Sequence, residues 1–482
     1  MKLLNSVVFG GALLALSGCF DSPDQGNQGP GELPPAPEID IAAGDEAYKT
    51  CAPLGTRVLA DTPLPSTISV DPALAEAAFN RASKWELVAG MPSQFHFNLD
   101  YPDAPPAPRE MPWDSISLKD EPEAYMASVL DYCVADLEAS DFNTRGTSWY
   151  HAPWLIREPM RGLTYEITAQ PGTLHPDQTR PVETWAVGLY NEYGGYTFGQ
   201  VWKDRHAPDT SNVTFPVGTV SCKLLFNQAT PADAPYLKGS KTWDVMTREG
   251  ALEELHLIQF DFAVRDTQAD DTTGWVLGSF MHLSQLGDDE AAPPFSFGNL
   301  VPIGVMWGND PNLGLEPGYD APREGWMNPV VADHFASVRA GHHSQTLGRD
   351  GRVNGPVDNS RSSCMACHGR ALAYDWTGPT RQEAMPWSAE WDATAAEVAN
   401  YFRNLDPDEP FCEGADSLDY SLQLAFGIEH FNQWKIELDA EGRRAEAAPS
   451  SGSLVETAFA STVADDWISA VEGRTRDTRG ED

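Results

Sequence analysis

The sequence predicts an α+β fold: a predominantly antiparallel β-sandwich region flanked by helices, with a small, mainly helical region toward the C-terminus. Three observations predict it. Between residues 182 and 283, apolar segments of strand length alternate with turn residues. Two earlier stretches repeat apolar residues at helical spacing, and Trp391, Ala395, Val398, Phe402 and Leu405 do so again. Of 482 residues, 41% are hydrophobic and 15 are Trp, enough for large cores, while 40 Gly and 38 Pro require many turns. The formal charge is 32 basic minus 71 acidic, or −39. So acidic a surface repels polyanions, and nucleic acid is excluded as a partner.

Taken in order, the first element stands outside the fold. Lys2 precedes an apolar run from Leu3 to Leu16, then Ser17-Gly18-Cys19. The run is too short for a membrane span and has the layout of a secretory signal over residues 1–18. Its close resembles the lipobox of bacterial lipoproteins. That resemblance implies cleavage before Cys19, a lipid on its thiol, and a lipid anchor on the periplasmic side of a bacterial membrane. Phe20 in place of Asp after the cysteine favours the outer membrane by the same resemblance. Residues 19–44 are rich in Pro, Gly and acid and read as a disordered tether. In the helical N-terminal region, 45–145, Asp71-Pro72 starts a helix in which Leu74, Ala78, Trp85 and Val88 recur until Gly90. A second helix, 120–139, places Met126, Val129, Cys133 and Leu137 on one face.

The β domain covers 146–312. Segments 182–190, 196–202, 213–226, 255–264 and 274–283 read as strands. Ile258, Phe260, Phe262 and Val264 alternate with Gln259, Asp261 and Ala263, the pattern of a half-buried antiparallel strand. Tyr193-Gly194-Gly195-Tyr196 reads as a hairpin turn between the first two strands. Strand spacing favours a sandwich of roughly 6 to 9 strands over an open barrel. His151 reads as a core histidine among aromatics, and Asp266, Asp270 and Asp271 as a solvated turn rather than a calcium loop. No G-x-S-x-G, phosphate loop or H-E-x-x-H occurs, so no hydrolase, nucleotide or zincin chemistry is supported.

The distinctive chemistry lies in region 313–438, which also holds a short helical segment near 330–339. Cys364-Met365-Ala366-Cys367-His368 is C-x-x-C-H. At that spacing two thiols on one turn can add to the two vinyl groups of haem, while the next imidazole meets the iron. The motif resembles the attachment site of c-type cytochromes, which implies one haem c, thioethers at Cys364 and Cys367, and His368 as proximal ligand. No further Cys or His pair stands at zinc-finger spacing, and a thioredoxin-like site would need a strand where Gly, Pro and polar residues precede the motif.

Ala384-Met385-Pro386-Trp387, followed by the apolar series from Trp391 to Leu405, resembles the end of a class I cytochrome c. The resemblance implies Met385 as the distal ligand and a closing helix over the haem edge. Only 17 residues separate His368 from Met385, fewer than that family places there, so His342, His343 and His430 remain alternatives. Arg361 and Arg370 flank the motif as candidate propionate contacts, and Trp376, Trp387 and Trp391 as candidate crevice residues. Segments 305–311 (VMWGNDP) and 354–358 (NGPVD) resemble uncharacterised bacterial proteins of the cytochrome c family, which implies no particular activity.

Cys51, Cys133, Cys222 and Cys412 are left over. An even number in an oxidising compartment predicts at least one disulfide, with the pairing open. Residues 439–482 read as a polar tail with a last helix at 454–471. The expected function is electron transfer by a lipid-anchored periplasmic c-type cytochrome whose β domain docks a redox partner protein or a small electron donor. The alternative is a haem enzyme, peroxidase- or oxidase-like, acting on a small substrate at a five-coordinate or weakly capped iron.

Overall fold

Strands with side chains alternating between two faces need a cover on each apolar side, and the computed structural model provides two. It describes residues 65–447 apart from 84–96, 140, 145, 156, 159, 247–250, 285–296, 333–347, 374–394 and 413. Eight strands form one antiparallel sheet: β1 (Thr164–Ala169), β2 (Val182–Tyr190), β3 (Val220–Asn227), β4 (Thr242–Met246), β5 (Leu252–Arg265), β6 (Trp275–His282), β7 (Leu300–Met306) and β8 (Gly325–Met327). The spatial order is β1-β2-β3-β5-β6-β7-β8, with β4 paired to the start of β5.

The helices are α1 (Pro72–Ser83), α2 (Pro122–Ala139), α3 (Glu192–Val201), α4 (Cys364–His368), α5 (Ala395–Tyr401) and α6 (Leu422–Ala447). On one face of the sheet, Tyr125, Met126, Val129 and Leu137 of α2 pack with Leu224 and Phe226 of β3 and Phe260 and Phe262 of β5. Each such side chain contributes about 1.5 to 3 kcal/mol by leaving water. The Cys133–Cys222 disulfide ties α2 to β3 on this face. On the other, Tyr190, Trp275 and Leu277 meet Met365 of α4 and Leu424, Ile428 and Phe431 of α6.

The α+β class therefore holds, but the expected sandwich does not: the second layer on each face is helix and loop. The hairpin expected at Tyr193-Gly194-Gly195-Tyr196, and the strand at 196–202, are instead α3. Asn191 caps this helix by accepting from Gly194 N at 3.3 Å. Its glycines serve close packing, since a Cβ on Gly194 would meet the Tyr190 ring and one on Gly195 the Tyr150 ring. The strand expected at 213–226 is confined to β3. Gln259, Asp261 and Ala263, expected to face water, lie under the C-terminal layer, and Gln259 is 0% exposed. β8 also falls beyond residue 312, so the sheet takes its last strand from the region expected to be mainly helical.

That C-terminal region contributes α4, α5, α6 and a two-stranded pairing of β9 (Leu372–Ala373) with β10 (Asp416–Ser417). Only a helical turn at 329–332 is described of the segment expected near 330–339. Residues 454–471, Cys19, Cys51, His342, His343, Met385, Trp376, Trp387 and Trp391 lie outside the described residues. No helix among the described residues is long and apolar enough to cross a membrane.

Candidate functional site

The C-x-x-C-H residues form α4, and Ser363 sets where it begins. In extended conformation, its Oγ accepts from Ala366 N at 3.0 Å and donates to Asn309 Oδ1 at 2.6 Å. Asn309 is fixed in turn by buried Arg352, whose Nε donates to Asn309 O at 2.9 Å and whose Nη2 donates to Asp310 O at 2.8 Å. The two segments noted in the sequence, 305–311 and 354–358, thus meet at the C-x-x-C-H turn: one anchors its cap, the other faces its first cysteine.

His368 Nδ1 lies 2.9 Å from Tyr420 O. A carbonyl can only accept, so Nδ1 carries the proton and Nε2 keeps its lone pair. Burial lowers the imidazole's pKa to about 4, so the ring is neutral near pH 7. This is the arrangement of a metal-ligating histidine, whose second nitrogen is oriented by a carbonyl. The carbonyl is held by strained backbone: Asp419 has φ 47° and Tyr420 φ 65°, left-handed values that cost non-glycine residues on the order of 1–3 kcal/mol each. Side chains keep both in place. The Tyr420 hydroxyl donates to Leu405 O at 2.8 Å and accepts from Leu405 N at 3.3 Å. The Asp419 carboxylate accepts from Trp275 Nε1 at 2.6 Å and Phe215 N at 2.5 Å, and burial pushes its pKa up to about 6.

Cys364 is a thiol, 3.9 Å from Asn354 Oδ1, and its pKa is pushed well up by burial, then by Asp358 and Asp261. Cys367 and Cys412 are each disulfide-bonded. Cys364, Cys367 and His368 all line one cavity between the sheet and the C-terminal layer, with an enclosed space of about 90 Å³. Leu155, Leu277 and Phe426 supply apolar wall.

The floor holds Lys223 of β3 and Asp261 of β5, directly opposite each other in a row that Gly188 of β2 and Ser279 of β6 continue to either side. Lys223 Nζ pairs with Glu166 Oε2 of β1 at 3.1 Å. Burial pulls the Lys223 pKa down, but Glu166, Asp261 and Asp358 outweigh it and hold the ammonium above its usual value. Asp261 accepts from Ser279 Oγ at 2.7 Å and from Gln259 Nε2 at 2.9 and 2.8 Å. The same Gln259 nitrogen donates to Asp358 Oδ2 at 2.9 Å. Burial first, then Asp358, pushes the Asp261 carboxyl up to about 7. Gly355 makes this possible, because a Cβ there would run into the Gln259 amide. Two lining residues present buried atoms without a hydrogen-bond partner among the described residues, Asn359 Nδ2 and Gln423 Oε1.

The other residues singled out by sequence lie elsewhere. Neither Arg361 nor Arg370 is on the cavity lining. The Arg361 backbone N donates to Asn359 Oδ1 at 3.0 Å, and buried Arg370 lies 5.1 Å from the Phe411 ring. His430 Nδ1 donates to Trp154 O at 2.8 Å, away from the cavity. His151 accepts from Asn98 N at 3.0 Å beside Phe97, as a core histidine. Asp266 accepts from Tyr125 OH and Gln268 N, while Asp270 and Asp271 pair with Arg265 and Lys119. Among the described residues no three His, Cys, Asp or Glu side chains are placed to hold a metal ion. The sequence reading missed Glu166, Lys223, Asp358, Asp419 and Tyr420. A signal existed for Lys223, the one charge in an otherwise uncharged strand.

Measured against a haem, the donor chemistry of the neutral His368, the Cys364 thiol and the unpartnered Asn359 amide fits, whereas the enclosed space of about 90 Å³ is too small for the whole group. Cys367 fits conditionally: a sulphur in a disulfide cannot carry a thioether, so the bond must first be reduced. Comparison with protein-family models, curated proteins and solved structures finds no match to this chain.

Proposed function

We propose that the chain is a lipid-anchored periplasmic c-type cytochrome that carries one haem and exchanges electrons with a redox partner protein or a small donor. One observation carries the reading: a neutral histidine directly after C-x-x-C, its Nδ1 fixed on the Tyr420 carbonyl, at the wall of a cavity that also meets both cysteines. When bound, haem supplies reversible one-electron exchange. The chain's own residues do the rest. Cys364 and Cys367 would hold the haem through thioethers, Cys367 only after a dithiol reductant had taken over its disulfide by thiol–disulfide exchange. His368 would hold the iron through Nε2, which carries no proton, and Tyr420 O keeps the ring from turning. Asn359 Nδ2 stands as a donor for a propionate oxygen, in place of the arginines expected from sequence. The apolar wall excludes water. Met385 stays part of the proposal as the distal ligand.

The test is a haem stain on a denaturing gel of the membrane fraction, alongside optical spectra. Wild type should retain pigment through acid-acetone extraction, whereas Cys364→Ala, Cys367→Ala and His368→Ala should yield little or no mature holoprotein. Pigment fully extracted from wild type, or absent from it, overturns the proposal. Met385→Ala should open the iron to carbon monoxide; a wild type that already binds it would move the reading to the haem enzyme.

A further inference from the structure

The cavity holds a charge imbalance that its own residues do not settle. Three carboxyl groups line it, Glu166 of β1, Asp261 of β5 and Asp358 of the loop before α4, against one ammonium, Lys223, which Glu166 already holds at 3.1 Å. Among the described residues the donors to the other two carboxyl groups are neutral. Ser279 Oγ donates to Asp261 at 2.7 Å, Gly355 N to Asp358 at 3.0 Å, and Gln259 Nε2 to both at 2.8 and 2.9 Å. That shared nitrogen brings the two carboxyl groups to one place. Negative charge enclosed without a cation is unfavourable, so this place suits a positively charged occupant.

Uncharged groups at the same cavity point to a ligand independently. Asn359 is 4% exposed, and its Oδ1 accepts from Arg361 N at 3.0 Å, which leaves Nδ2 as a buried donor with no partner among the described residues. Gln423 Oε1 is a buried acceptor in the same condition. Buried polar groups are ordinarily hydrogen-bonded, so the occupant should offer an acceptor to the first and a donor to the second. The enclosed space of about 90 Å³ sets its size. At roughly 10–15 Å³ for each water-sized group, this admits a molecule of a few non-hydrogen atoms. Because no three His, Cys, Asp or Glu side chains among the described residues are placed to hold a metal ion, an organic cation fits the wall better than a metal.

We propose that this cavity binds a small organic ammonium ion that also carries a hydroxyl or carbonyl oxygen. The ammonium donates to Asp261 and Asp358, with Gln423 Oε1 as a further acceptor, and the oxygen accepts from Asn359 Nδ2. Leu155, Leu277 and Phe426 cover the carbon atoms between them. A zwitterionic amino acid suits the site less, since its carboxylate would return the negative charge that its ammonium offsets. The inference goes beyond the electron-transfer reading and does not rest on it, because none of these contacts is made by Cys364, Cys367 or His368.

The experiment is isothermal titration calorimetry of the purified full-length protein with three probes of equal length: ethanolamine, n-propylamine, which lacks the oxygen, and ethylene glycol, which lacks the charge. Ethanolamine should bind once per chain with a dissociation constant of about a millimolar or tighter, the range open to so small a ligand. Propylamine should bind about tenfold more weakly, and ethylene glycol should give no saturable heat. Asp261→Asn and Asp358→Asn, made separately, should each weaken ethanolamine by about tenfold or more. Asn359→Asp keeps an acceptor for Arg361 N but loses the donor, so it should erase the preference for ethanolamine over propylamine. The comparison of probes on wild type decides the matter even where a variant does not fold. No saturable binding of ethanolamine, or ethylene glycol binding equally well, overturns the inference. An affinity untouched by all three substitutions does so too, by placing the amine elsewhere. Saturable calcium binding that both aspartate variants lose would assign the site to a metal ion and likewise overturn it. A preparation without haem overturns the functional proposal and leaves this inference standing.

Discussion

Ser363 joins two parts of the site through one hydroxyl, capping α4 and holding Asn309. Ser363→Ala should cost about 1 to 2 kcal/mol from the lost cap, with more from the Asn309 oxygen left without its donor. A urea midpoint for the purified variant checks this, and an unchanged midpoint would mean the cap does not hold the motif. The readable and unreadable parts of the site separate at this scale. C-x-x-C-H is legible because its chemistry depends on spacing within one turn of chain. The Tyr420 carbonyl that orients His368 is not legible, because every residue has a carbonyl and this one comes from 52 positions away. Even its left-handed backbone falls on Asp and Tyr, where no glycine signals it.

At the scale of elements, α2 and β3 meet through the Cys133–Cys222 bond, which spans 89 residues. Replacing both cysteines by serine should lower stability by about 2 to 5 kcal/mol, since a loop of this length adds much conformational freedom to the unfolded chain. Urea unfolding should show a lower midpoint and a steeper slope, as the unlinked denatured state exposes more surface. An equal midpoint in the double variant would contradict this. The sequence showed that both cysteines sit on apolar elements, with Cys133 on the buried face of α2, but it offered four thiols with no means of choosing partners. Helix α3 shows the opposite failure. Its aromatic and glycine content reads as strand and turn, and only contact with Tyr150 and Tyr190 explains why glycine is needed inside a helix.

For the whole molecule, burial raises the carboxyl pKa values of Glu158, Asp261 and Asp419. Between the unfolded value and the raised folded value, the native state binds more protons than the unfolded chain, so stability falls as pH rises through that window. Asp419 alone, moved from 3.8 to about 6, accounts for up to about 3 kcal/mol lost between roughly pH 4 and 7. The overall charge of −39 acts in the same direction, because self-repulsion grows as carboxyls ionise. Urea midpoints at pH 4.5, 5.5, 6.5 and 7.5 should therefore decline, and Asp419→Asn should shrink the decline. A midpoint that rises over that range would contradict this reading.

Composition and period alone determined that this chain builds an antiparallel sheet with helices, carries an acidic surface, and places a C-x-x-C-H turn near its C-terminus. Those properties are local or additive, so the chain carries them before it folds. Tertiary structure decided what covers the sheet. Alternation in β5 marked Gln259 and Asp261 as one face of a strand, but whether that face meets water or protein depends on residues a hundred positions later. Asp358 and α4 settle it by closing over the face, because burying the apolar side chains around Leu277 and Phe426 outweighs the cost of enclosing a few paired charges. The same closure turns an ordinary polar stripe into the floor of the cavity.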